Sequence, residues 1–223
     1  MSATAGAIPA HRSFDPLAVG ELEARAWRTY YRREWLAFLR AAVGLTRRAF
    51  GLRWPATARG AWLVLRANQL WAPFPDNDPA GARRAMERFY GLLARRYREP
   101  PEPARAAWLE VEWWRVHRQH QRSGHRDSDT PLIEALAELY AYVYSVPVHS
   151  VRPAAEQRAL AMDFSDRWVD EGCELKSDLV AEIEAALVRS HAYLLAAAHR
   201  LPSRAPTRPV GRLEATPLRE EHG

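Results

Sequence analysis

Residues 102–122, EPARAAWLEVEWWRVHRQHQR, decide the fold of this chain. At 100° of turn per residue, Ala106, Ala107, Leu109, Val111, Trp113, Trp114 and Val116 gather on one arc. Trp108, Glu112, Arg115 and Gln119 fall on the opposite side, which is the pattern of a helix with one face against a core. No stretch of the chain alternates apolar and polar residues over strand length, and β-branched residues are sparse, so the same reading extends outward. Periodic segments at 17–50, 56–71, 79–97, 131–145, 154–171 and 178–200 bring the expected number of helices to about seven. The fold class is all-α.

Punctuation between these segments agrees. Pro79, Pro131 and Pro153 stand where helices should open, and Ser177–Asp178 reads as an N-cap. Gly51, Gly124 and Gly172 stand where periodic segments stop. Connections are short, and no low-complexity linker divides the middle, so residues 16–201 are expected to form a single-domain multi-helix bundle. Residues 1–15 and 202–223 lack apolar periodicity and read as disordered tails.

With 223 residues and 48% hydrophobic side chains, the chain can bury a core without disulfide or metal staples. Its one cysteine, Cys173, rules out an internal disulfide and any cysteine-rich zinc site and suits a reducing, cytoplasmic setting. The opening MSATAGAIPAHRSF carries no basic start or apolar run of the kind a secretory leader needs, and the longest apolar run, 61–65, is too short for a membrane span.

Charge is uneven. Residues 1–126 hold 22 arginines against 11 acids, whereas 127–223 hold 10 basic residues against 16 acidic ones. A basic first half allows an acidic partner or nucleic acid. However, zinc-finger spacing, aromatic RNA-binding motifs and a glycine-hinged helix-turn-helix are missing, so nucleic acid is not the favoured partner. Trp108, on the polar side of its helix, is expected at the surface, where tryptophan favours a protein partner or a homo-oligomer. The chain also lacks a G-x-S-x-G elbow, a P-loop, a G-x-G-x-x-G turn and an H-E-x-x-H motif.

Polar residues on faces that should be buried are more informative. Glu110 and His117 fall inside the apolar arc of 102–122. Glu184 and His191 fall inside the arc formed by Leu179, Val180, Ile183, Leu187, Val188, Leu194, Leu195 and Ala198. Glu34 sits in the first segment among the stripe Trp27, Tyr31, Trp35, Phe38, Ala42 and Leu45. A buried carboxylate needs a partner. Either arginine, tyrosine and histidine satisfy these groups in a core network, or iron or manganese does. The inward Glu/His set resembles that of ferritin-like and haem-oxygenase-like di-iron proteins, which would imply a non-haem oxidase or oxygenase with Glu34, Glu110, His117, Glu184 and His191 as ligands. The chain departs from that pattern in having no Glu-x-x-His pair and no clear fourth carboxylate, for which Asp163 and Asp166 are the candidates. No cofactor is otherwise implied. The favoured reading is a non-catalytic interaction or ligand-binding protein, with the di-metal enzyme and the acidic-partner binder as alternatives.

Overall fold

The computed structural model describes residues 10–97, 102–123 and 128–199. Among them the fold is all-α, with eight helices: α1 (Pro16–Tyr31), α2 (Trp35–Phe50), α3 (Ala56–Trp71), α4 (Pro79–Tyr97), α5 (Pro103–Arg122), α6 (Thr130–Tyr144), α7 (Val148–Asp170) and α8 (Leu179–His199). No helix among the described residues is long and apolar enough to cross a membrane.

The helix expected at 17–50 is two helices. The chain turns at 32–34 with Arg33 in the left-handed region at φ 59°. The Glu34 N–H donates to Thr29 O at 2.8 Å and the Arg33 N–H to Tyr30 O at 3.0 Å, the paired closing bonds of a Schellman motif. Such a motif usually carries glycine at its left-handed position, and here an arginine occupies it. The signal is therefore absent from the sequence. Gly51 and Gly172 do close helices as expected, at φ 54° and 88°, while Gly124 lies outside the described residues.

Asp15 caps α1 by accepting from the Leu17 and Ala18 N–H groups, and Asp78 caps α4 by accepting from Gly81 N–H at 2.7 Å. Pro79 opens α4 and Pro131 lies in the first turn of α6. Pro153, by contrast, lies inside α7, which starts a turn earlier, after Pro147.

Each helix packs against its neighbours in the chain, and α8 returns onto α1, so the eight form a closed circuit. Small residues allow the closest approaches. A Cβ on Gly20 of α1 would stand 2.8 Å from the Val188 backbone on α8. Ala154, Ala155, Ala161 and Ala186 are fully buried on α7 and α8, and Ser190 donates its hydroxyl to Ala154 O across that seam. The main core runs through α3–α8 around Val111, Leu136 and Val151, and a second cluster forms around Trp168, Ile183 and Leu187.

Residues 10–15, expected in a disordered tail, are ordered against the helices. Ala10–Arg12 form a 3-10 turn, Phe14 is buried edge-on to His191, and His11 is buried against Tyr97. The apolar anchor in AHRSF is a single phenylalanine, too little to register as periodicity. Residues 1–9 and 202–223 lie outside the described residues.

A candidate ligand cavity with paired polar walls

Helices α1, α2, α3, α5 and α7 line a cavity of about 510 Å3 that is open to solvent. Its lining is dominated by rings and aliphatic groups: Trp27 and Tyr30 from α1, Phe38 and Leu45 from α2, Val64 and Trp71 from α3, Trp113 and Trp114 from α5, and Met162 from α7. The stripe read on the first segment therefore does face inward at Trp27, Phe38, Ala42 and Leu45. Trp35, half exposed at the start of α2, does not.

Five of the charged side chains in the cavity wall, Glu23, Arg158, Glu110, His117 and Asp166, are already joined to polar partners. Arg158 Nη2 donates to Glu23 Oε1 at 2.6 Å, and His191 Nε2 lies 2.7 Å from the other carboxylate oxygen. Burial alone pushes the Glu23 carboxyl up, but Arg158 and His191 outweigh it and hold the pKa at about 2. Burial likewise disfavours the charge on Arg158, and the Glu23 carboxylate more than restores it. The Arg158 guanidinium also lies between two indoles, 5.5 Å from Trp27 and 5.6 Å from Trp113.

Glu110 accepts from the Tyr90 hydroxyl at 2.7 Å and from the Trp113 indole N–H at 3.1 Å. Burial raises its pKa, opposed by the Tyr90 bond and the nearby Arg158 charge. The same burial, with Glu110 alongside, raises the Tyr90 hydroxyl well above its ordinary range. A third pairing lies farther along α5, where His117 Nε2 is 3.3 Å from Asp166 Oδ2 and Gln121 donates to Asp166 Oδ1 at 2.7 Å.

The five residues read as metal ligands are thus separated. Glu110 and His117 line the cavity, and His191 reaches its edge through Glu23. Glu34 does not point inward: the turn at Arg33 rotates it out of the stripe, to the start of α2, where it is exposed and bonded to Arg32 at 2.8 Å. Glu184 is half-buried on α8 and is not part of the cavity wall. Among the described residues no three histidine, cysteine, aspartate or glutamate side chains gather so as to hold a metal ion.

Comparison with family models, with curated proteins and with solved structures finds no match.

Glu23 and Arg158 were not singled out by sequence, although each lies among small or apolar residues, and Asp166 was named only as a candidate fourth carboxylate. Glu23 follows Val19 by four residues and precedes Ala26 and Trp27, while Arg158 sits between Ala154–Ala155 and Ala161–Met162. Four of the eight residues flanking Arg158 in 154–162 are alanine, so the buried face of α7 has little amphipathic contrast. Cys173 is in the turn after α7, outside the cavity lining.

Proposed function

We propose that this protein binds a small, flat and largely apolar molecule in the α1/α2/α3/α5/α7 cavity. The observation that carries the reading is an aromatic-walled space in which Glu23, Arg158, Glu110, His117 and Asp166 are already paired, Arg118 alone of its charged groups being held by ring stacking instead. Ligand sites are commonly concave, of about 300–1,000 Å3, mostly apolar, with few polar groups held in fixed positions. A space of about 510 Å3 suits a molecule of two or three fused rings. The indoles of Trp27, Trp113 and Trp114 offer ring faces and edges for stacking. Because Glu23 and Arg158 neutralise each other, the wall favours a neutral body over a charged one. The separation of Glu34 and Glu184 from the cavity favours binding over a di-metal oxidase. The single cysteine is in keeping with a reducing, cytoplasmic setting.

Titration with a neutral naphthylamine dye, N-phenyl-1-naphthylamine, tests the proposal. The expected result is saturable fluorescence enhancement at one dye per chain. Ala42→Trp, which fills the cavity from α2, should abolish it, whereas Leu36→Trp on the exposed side of the same helix should not. Enhancement that persists in Ala42→Trp, or that never saturates, would overturn the reading.

A further inference from the structure

A second, smaller cavity of about 390 Å3 shares the side chains of Trp71 and Arg118 with the first. Its character is different. Four arginines converge on it, Arg83 from α4 and Arg115, Arg118 and Arg122 from α5, beside Trp71 and Phe74.

Arg115 is neutralised by Glu112, to which it donates from both Nε and Nη2. Among the described residues no carboxylate forms an ion pair with Arg118 or Arg122, and Arg83 acts on Glu112 only at a distance, helping Arg115 to lower its pKa. Arg118 is held by stacking instead, its guanidinium 4.3 Å over Trp71 and 5.4 Å over Phe74, with Nη2 donating to Trp71 O at 2.9 Å. Arg122 lies 4.6 Å over Phe74, so two cations are drawn to one ring. Arg83 Nε and Arg118 Nη1 are buried without a hydrogen-bond partner among the described residues. Burial and the neighbouring Arg122 together lower the Arg118 pKa, as expected for a cation short of a counter-charge.

A buried donor left unsatisfied costs free energy, and like charges in one concavity add to that cost. An anion accepting from these guanidinium groups removes both penalties. We infer that the arginine-lined cavity is a binding site for a phosphate-class oxyanion, carried by a small molecule. A tetrahedral dianion has the three or more acceptor oxygens needed to engage several planar guanidinium forks at once, which a single carboxylate lacks. The shared Arg118–Trp71 wall places this site next to the apolar cavity. The further identification of the anion as the head group of the cavity's ligand rests on the binding reading above, whereas the anion site itself does not.

Thermal unfolding in inorganic pyrophosphate, compared with chloride at matched ionic strength, tests the site. Pyrophosphate should raise the midpoint saturably. The exposed-face control Arg84→Gln/Arg88→Gln, which removes the same charge from α4, should retain the effect. Arg83→Gln/Arg122→Gln should weaken pyrophosphate binding about tenfold or more while leaving the circular dichroism spectrum unchanged. Equal stabilisation by both salts, or equal losses in the two double variants, would overturn the site. The naphthylamine titration, repeated on Arg83→Gln/Arg122→Gln, separates the two readings, since neither arginine lines the apolar cavity.

Discussion

Glu23 on α1 and Arg158 on α7 form an ion pair of 2.6 Å with side chains only 8% and 14% exposed, and His191 on α8 completes it. Helix α1 is thereby tied to α7 and α8, at the far end of the sequence, at one edge of the cavity. Breaking one side of such a pair leaves a buried charge without a partner, which costs about 3–5 kcal/mol. Arg158→Met should therefore lower the urea midpoint sharply. Glu23→Gln/Arg158→Met should recover most of the loss, since no charge is then stranded.

Acid sensitivity should come in two windows. The Glu23 pKa falls from an ordinary 4.5 to about 2 in the folded chain. The unfolded chain takes up that proton first, so the pair's contribution is complete above about pH 4.5 and is lost as pH falls towards 2. His11 is lowered from 6.5 to about 4 by burial and by Arg12. It is neutral in the fold, and its contribution is lost as pH falls from 6.5 towards 4. Melting temperature against pH should flatten only in the upper window for His11→Gln, and only in the lower for Glu23→Gln.

At Gly20 helices α1 and α8 approach closely, and a Cβ there would meet the Val188 backbone, which cannot rotate away. Gly20→Ala should destabilise by about 1–3 kcal/mol through overpacking, despite alanine's better helix propensity. Chemical denaturation gives the sign directly. A stabilised variant would mean that the helices are not in contact at this point.

Arg33 holds a left-handed conformation that glycine adopts without strain. Arg33→Gly should raise stability by about 1 kcal/mol, seen as a higher thermal midpoint, because the paired closing bonds to Thr29 and Tyr30 need no side chain.

That same turn explains what the sequence hides. The helical class, the start at Pro79 and the cap at Gly51, and the inward faces of Glu110 and His117 were all legible, because each rests on local periodicity or local backbone chemistry. The break at 32–34 was not, since an arginine stands where glycine usually signals a stop, and with it went the position of Glu34. The partners of the buried acids were hidden for a different reason. Glu110 bonds Tyr90, His117 lies against Asp166, and His191 lies against Glu23 168 residues away. Such pairings are set by how helices close on one another, which no single helical wheel contains.

The cavity is most directly tested by the indole N–H signals of the nine tryptophans in a 1H–15N correlation spectrum during titration with N-phenyl-1-naphthylamine. Signals of Trp27, Trp71, Trp113 and Trp114 should shift together along one saturable curve, while those of Trp54, Trp62 and Trp108, which face outward, stay in place. Shifts confined to the outward tryptophans, or none that saturate, would contradict a ligand site inside the helical circuit.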